Sequence, residues 1–241
     1  MAPSAAAERR TAGRRRKLVI AMDGPAGVGK STVGRVVAKA LGYRFINTGE
    51  MYRALTWRAL EEGVDLGDQR ALARLARQVR WSFKTTADRV TVRTFVDGRN
   101  VAKQIQGERV GKNSSKVASA PGVRRHLRAL QRRLGRDGGI VMEGRDITTN
   151  VFPDADFKIF LDASADERAR RRTRQLRAQG KKADFRSIRD AIAARDRQDS
   201  QRKINPLRQA ADAVVIDSSD MSLNEVAECI LKRISQARQE R

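Results

Sequence analysis

The chain has 241 residues, of which 51 are lysine or arginine and 28 acidic, giving a net charge of +23. That length supports one large domain with its own core, and 40% hydrophobic content with only five prolines excludes a disordered chain. A single cysteine, Cys229, excludes an internal disulfide and fits a reducing, cytoplasmic setting, and no apolar run reaches the roughly 18 residues of a membrane span.

Residues 1–16 are basic but lack the apolar stretch of a secretory leader, and are expected to be a disordered tail. KLVIAM (17–22) predicts a buried strand, followed by a glycine loop and a helix from about Ser31 to Leu41. A short strand at 43–46 and a helix from about Glu50 to Glu62 follow, then an amphipathic helix at LARLARQV. RWSFKTT and RVTVRTFVDG alternate apolar and polar residues, predicting antiparallel strands with turns at TTAD and DGRN. VRRHLRALQRRLG predicts a helix with the apolar stripe Val123, Leu127, Leu130 and Leu134, and with Gly135 at its C-cap. GIVMEGRD and FKIFLDAS are two further apolar strands. Residues 165–203 are basic and helical with a break near Gly180, DAVVIDSS is a last strand, and LNEVAECILKRISQAR a closing helix. Apolar strands alternating with helices predict an α/β fold, a parallel sheet with helices on both faces. The alternating strands at 80–100 fall outside that pattern and suggest an inserted antiparallel element of a substrate-binding subdomain.

Gly24, Gly29, Lys30 and Ser31 satisfy G-x-x-x-x-G-K-[ST] between a strand and a helix. Glycines let backbone N–H groups converge on phosphate oxygens, and the helix adds its N-terminal dipole. In such a loop the lysine reaches the β- and γ-phosphates and the hydroxyl holds Mg²⁺. A dinucleotide loop fails on spacing, because its third glycine would fall at Thr32. Asp23 and Asp162 end strands near the loop; either ordering Mg²⁺-bound water or capping local structure suits them.

On the acceptor side, NTGEMYR places Arg53 one turn into a helix, aimed at an anion held near the loop. IVMEGRD ends a strand with Arg145 and Asp146, where the carboxyl ends of parallel strands line a ligand crevice. Arg195, Asp199 and Arg202 are spaced i, i+4, i+7, on one helical face.

These segments together, DGPAGVGKST, NTGEMYR, APGVRRHLRALQRRL, GRDI, VFPDADFKIFLDAS, ERARRR and RDRQDSQRKINPL, resemble the bacterial cytidylate kinases within the P-loop nucleoside monophosphate kinases, in order and over nearly all of 18–235. The resemblance implies a kinase domain over 17–241, with a core at 17–60 and 120–241. An inserted NMP-binding subdomain with a small antiparallel sheet would span about 63–118, and a helical lid about 165–190. It implies ATP and Mg²⁺ as cofactors, CMP and dCMP as substrates, a monomer, and no obligate nucleic acid or membrane partner. Gly24, Pro25, Ala26, Gly27, Val28, Gly29, Lys30, Ser31 and Thr32 would wrap the ATP phosphates, with Ser31 on the metal. Thr48, Tyr52 and Arg53 would face the acceptor nucleotide, while Ser115, Arg124 and Asp146 would read the cytosine edge. Arg145 and Arg202 would hold the monophosphate, Arg195 and Asp199 the sugar hydroxyls, and Arg171 and Arg172 would close over the transferring group. Lys30, Arg145, Arg171 and Arg172 are the catalytic set.

Three positions depart from the family pattern: Asn47 for aspartate, and Thr148 and Asn150 where glycine and valine are expected. An anionic acceptor oxygen needs no general base, so the only histidine, His126, is expected to be structural. The charge admits two readings, solvated arginine-rich helices or anionic partners, since only 12 of the 51 basic residues are lysine. A kinase for another monophosphate and a basic nucleic-acid-associated ATPase remain the alternatives. Against the second, the two tryptophans and two tyrosines are scattered, with no aromatic interleaving for base stacking.

Overall fold

Strand β1 (Val19–Asp23) is buried at all five positions and is central to a sheet of eight strands. In the computed structural model, which describes residues 16–239, its neighbours are β6 (Ile140–Glu143) and β7 (Phe157–Asp162), both parallel to it. Beyond β6 lies β2 (Arg44–Asn47), and beyond β7 lies β8 (Val214–Asp217), again parallel. Except for Arg16, the expected N-terminal tail lies outside the described residues.

Alternation along β1 sends its side chains to two layers. Ile20 and Met22 pack with Val33 and Val37 of α1 (Lys30–Leu41) and with Ile230 and Ile234 of α8 (Leu223–Gln239). Val19 and Ala21 pack on the other side with Ile140, Met142 and the turn residues Ile147 and Val151. Each fully buried side chain of this size contributes roughly 2 kcal/mol relative to its exposed state, so β1 is fixed from both faces. A third cluster joins α2 (Thr48–Glu61), α3 (Gln69–Gln78) and α5 (Pro121–Gly135) through Met51, Leu55, Leu72, Leu75, Leu127 and Leu130.

The antiparallel hairpin expected at 80–100 forms, with β3 (Trp81–Thr85) against β4 (Thr91–Val96). It differs from the expectation in one respect: β4 also runs parallel to β2, with Phe45 opposite Thr91 and Ile46 opposite Val92. The hairpin is therefore an edge of the main sheet, and its alternating pattern reflects a strand with one covered face. The DG turn is a two-residue connection in which Asp97 and Gly98 both take positive φ, 51° and 81°, before β5 (Arg99–Asn100).

Helix α4 (Glu108–Ala118) was not foreseen, since its serines, asparagine and glycine hide the stripe Val110–Val117. Gly135 is also not a left-handed cap. It is the last residue of α5, and a Cβ there would lie 2.5 Å from Ile140 and Phe152, so close packing explains the glycine. The basic segment after β7 divides as expected around Gly180 (φ 71°) into α6 (Ala165–Ala178) and α7 (Phe185–Ser200), which pack together.

Candidate functional site

β1 delivers the chain into the glycine loop at its C-terminal end. Gly24 has φ +147°, and a Cβ there would stand 2.0 Å from the carbonyl oxygen of Leu161, so only glycine fits. Lys30 opens α1, and its Nζ donates to the carbonyls of Gly24 and Pro25, 2.7 Å each. Burial, reinforced by Arg145, lowers its pKa to about 7. The Ser31 hydroxyl donates to the Glu143 carboxylate, and Asn47 Nδ2 lies 3.4 Å from the same hydroxyl. Arg168 of α6 anchors the outside of the loop. Its Nη1 reaches Ala26 O at 3.0 Å and Asp196 Oδ2 at 2.6 Å, and its Nε reaches Ala163 O at 3.0 Å.

Gly27, Gly29, Lys30, Ser31 and Thr32 form one wall of a cavity of about 420 Å³ over the C-terminal ends of β1, β2 and β6. Gly24, Pro25, Ala26 and Val28 shape the loop from behind, with Val28 buried in the core. The opposite wall holds every acceptor-side residue named from the sequence: Thr48, Tyr52 and Arg53 from α2, Ser115 from α4, Arg124 from α5, Arg145 and Asp146 after β6, and Arg195, Asp199 and Arg202. Thr48 Oγ1 donates to Glu143 O (2.8 Å), tying α2 to the end of β6.

Arg124 and Asp146 form a buried pair at 2.6 Å, with Arg124 over the Tyr52 ring at 5.5 Å and its Nη1 on Ala118 O at 3.0 Å. Arg145 Nε pairs with Asp199 Oδ2 at 2.8 Å. Although adjacent, Arg145 and Asp146 each find their partner on a distant helix. Arg202 is not on the face of α7, which ends at Ser200. It reaches the cavity from the following coil, held by the carbonyls of Ile204 and Asn205.

Seven cationic residues line the cavity against four acidic ones, Glu50, Glu143, Asp146 and Asp199. Three of the four acids are already committed, Glu50 to Arg93 at 2.5 Å and the other two as above. Arg195 is left with a buried Nε that finds no partner among the described residues. Burial and the facing Arg145 push it down to about 10. Arg53 is lowered by burial and by Arg172 and Arg145, and Arg202 by burial and Arg124. Crowded, desolvated guanidinium groups raise each other's cost of charging, and a polyanion between them removes that cost.

Neither of the two arginines assigned to the lid lines the cavity, and they differ in what they do instead. Arg172 is exposed and donates to Gln175 (2.7 Å), itself a cavity residue. Arg171 is not brought into the cavity: it pairs with Glu167 at 3.1 Å and holds the carbonyls of Val28, Ser218 and Met221. Successive helical residues face about 100° apart, so only one of the pair can face the crevice. Asp23 caps local structure. Its two oxygens accept from Ile147 N (2.9 Å), Thr148 N (2.7 Å) and Thr148 Oγ1 (2.7 Å), and desolvation raises its pKa to about 6. Thr148, a departure from the family pattern, thus gains a partner in Asp23. Asp162 accepts from Ala163 N (2.8 Å), outside the cavity. His126 lies on α5 outside the cavity, lowered by burial and by Arg77 and Arg133.

Glu143 was missed, although it too ends a buried strand beside the loop strand, and it is the acid that meets Ser31. Arg35, Glu50 and Gln175 were missed as well, each carrying only a pattern common on exposed helices.

Residues 20–236 match the family described as cytidylate kinase. The chain belongs to the cytidylate kinase family. It is 48% identical over 221 residues to the cytidylate kinase of Pelotomaculum thermopropionicum, covering 92% of this chain and 97% of that one. It is also 48% identical to a bifunctional pantoate ligase/cytidylate kinase of Synechococcus sp. strain JA-3-3Ab, but spans only 41% of that protein's length. A crystal structure of an uncharacterized protein from Eubacterium ventriosum shares the fold, with TM-score 0.51 over 91% of this chain and 99% of that one at 10% identity.

The donor set also fits the metal that kinases of this family type use. Ser31 and Glu143 bring a hydroxyl and a carboxylate together, both hard ligands, while Asn47 turns its amide nitrogen toward the same hydroxyl. No cluster of three acidic, histidine or cysteine side chains forms a dedicated metal cage among the described residues.

Proposed function

We propose that the chain transfers the γ-phosphoryl group of ATP to CMP and dCMP, giving ADP and CDP or dCDP. One observation carries this reading: a single cavity has the phosphate loop with Lys30 at one wall and the buried Arg124–Asp146 pair at the other. Cytosine offers an amino donor beside ring acceptors, complementary to an Asp146 carboxylate, an Arg124 guanidinium and the Ser115 hydroxyl. The attacking phosphate oxygen is already anionic, so the residues need only place it and neutralise charge. Arg53, Arg145 and Arg202 take the acceptor phosphate, Arg195 and Asp199 the sugar, and Lys30 the β- and γ-phosphates. Arg172, beside Gln175 on the cavity edge, is the lid residue placed to approach the transferring group. Arg171 holds the frame of the loop.

Ser31 and Glu143 would hold Mg²⁺, which when bound neutralises charge on the β- and γ-phosphates. Within 63–118, helix α4 serves the acceptor side through Ser115, and 165–190 serves as the lid, whose closure excludes water and suppresses ATP hydrolysis. Among the described residues no helix is long and apolar enough to cross a membrane. A cytoplasmic monomer acting on small molecules completes the proposal.

An ADP-release assay with ATP·Mg²⁺ and CMP, dCMP, UMP, AMP and GMP tests it. Turnover with CMP and dCMP that falls by about 10³-fold or more in Lys30→Ala and Arg145→Ala is the expected result. Preference for AMP or GMP would overturn the base assignment. ATP hydrolysis stimulated by nucleic acid without monophosphate turnover would overturn the reaction.

A further inference from the structure

Arg124, Arg128 and Arg132 stand four residues apart on α5 and so share one stripe of the helix. All three reach the segment that carries Asp146. Arg124 pairs with Asp146 Oδ2, Arg128 Nη1 donates to Asn150 Oδ1 at 2.8 Å, and Arg132 donates to the carbonyls of Asn150 and Val151 at 2.9 Å each. Asn150 closes the ladder by donating from Nδ2 to Asp146 Oδ2 at 2.9 Å. Its neighbours fix the orientation of its amide, since a guanidinium only donates and an ionised carboxylate only accepts. Both donors to Asp146 land on Oδ2. Its Oδ1 has no hydrogen-bond partner among the described residues, although Asp146 is only 5% exposed and lines the cavity.

We propose that Asn150 is a specificity-positioning residue: held by Arg128, it fixes the Asp146 carboxylate so that an acceptor-only oxygen meets the base edge of the nucleotide. The inference rests on the CMP kinase reading above. Rotation of a carboxylate about its last bond is soft, and a single contact from Arg124 leaves the plane of the group free to turn. The second donor removes that freedom. An oxygen locked in this way accepts from an exocyclic amino group, and sets lone pair against lone pair when the base carries an exocyclic oxygen instead. Asn150 touches no substrate itself. It acts through Asp146, and the signature of that action is a change in the preference between CMP and UMP.

The test uses the full chain at pH 8 with two variants, Asn150→Leu and Asn150→Asp. The first removes both amide functions. The second keeps an acceptor for Arg128, and so the anchoring of the turn, but presents an oxygen to Asp146 in place of the donor. The kcat and KM for CMP and for UMP are measured at saturating ATP, together with the KM for ATP. Both variants are expected to lose about tenfold in kcat/KM for CMP, mostly through KM, as fits one hydrogen bond to a charged group. UMP values and the KM for ATP should stay within about threefold, so the CMP-to-UMP ratio falls roughly tenfold. An Asn150→Asp enzyme with an unchanged ratio, or equal losses for CMP and UMP, would overturn the inference. Wild-type protein that fails to phosphorylate CMP overturns the underlying reading as well, and is seen before any variant is compared.

Discussion

Replacing Arg168 with methionine removes the group that ties the phosphate loop to both helices after β7. The side chain is 7% exposed and its partner Asp196 is 23% exposed, so the pair is largely dry. Breaking a buried pair from one side costs about 3–5 kcal/mol, because the remaining charge and acceptors stay desolvated. Here Ala26 O and Ala163 O each lose a donor, while water reaching Asp196 recovers part of the loss. The expected cost is about 3 kcal/mol, and for a chain of this size that lowers Tm by about 6–12 °C. Asp196→Ala alone should cost less, and the double variant little more than Arg168→Met, leaving a coupling above about 1 kcal/mol. Urea unfolding of the four proteins measures this directly. A functional consequence follows, since the Cβ position of Gly27 lies 3.6 Å from Arg168 Cβ: KM for ATP should rise while KM for CMP stays within about twofold. A cost under 1 kcal/mol, or strict additivity in the cycle, would refute the idea that this contact anchors the loop.

With Lys30 lowered to about 7, the free protein presents a neutral lysine to ATP at higher pH. The kcat/KM for ATP should therefore fall from pH 7 to 9 while kcat holds, and a flat profile would contradict the burial argument. Asp23 has a folded pKa of about 6 against an ordinary 3.8, so the native state binds the proton more tightly. Its contribution is present below about pH 4 and lost as pH rises through 6, an effect of about 3 kcal/mol; denaturation at pH 4, 5 and 6 checks the slope, which Asp23→Asn should flatten. Gly24→Ala should abolish soluble expression because its Cβ would meet Leu161 O at 2.0 Å. Gly42→Ala, also at positive φ (65°) but in open space, should cost only about 1 kcal/mol; expression yield and thermal unfolding separate the two.

The parallel sheet was legible because β1, β6 and β7 are short, mostly apolar segments without strict alternation, a pattern suited to a doubly covered strand. The loop was legible because its glycines and lysine sit at fixed spacing. On the acceptor wall, Arg145 and Asp146 were legible from their place at a strand end and Arg53 from its place in a helix, whereas Ser115 and Arg124 came only through resemblance. What the residues alone concealed were long-range pairings. Asp23 reads as a strand-end acid until the turn at 147–148 arrives over a separation of 124 residues to take both its oxygens. Glu143 carries the same signal and meets the Ser31 hydroxyl instead. Arg171 and Arg172 are adjacent in sequence and identical in type, and only the rotation of α6 against Ser218 decides which one is structural. Arg202 looked helical by spacing, yet the helix stops two residues earlier and the coil makes the approach.

Those pairings also bear on the arginine excess. Arg124, Arg132, Arg168 and Arg171 each hold backbone carbonyls, in all but one case alongside a carboxylate partner, tasks that suit a planar fork with five donors better than an ammonium. A second group, with Arg53, Arg195 and Arg202 among it, lines the cavity. A third, including Arg170, Arg174 and Arg177 on α6, is exposed. The aromatic residues do not join that third group. Trp57 and Trp81 pack against the cluster under α3, Tyr43 is buried in the core, and Tyr52 lies in the cavity beneath Arg124. A surface built for single-stranded nucleic acid needs rings beside its cations so that bases can stack. The tryptophans and tyrosines are thus kept off the exposed arginine face of α6, so binding of a labelled oligonucleotide should be weak at physiological salt and vanish as salt rises. CMP phosphorylation should by contrast survive the same salt, because Arg145 and Arg195 act from a desolvated cavity where screening is slight. Loss of both with the same salt dependence would place the acceptor phosphate on the exposed arginines instead.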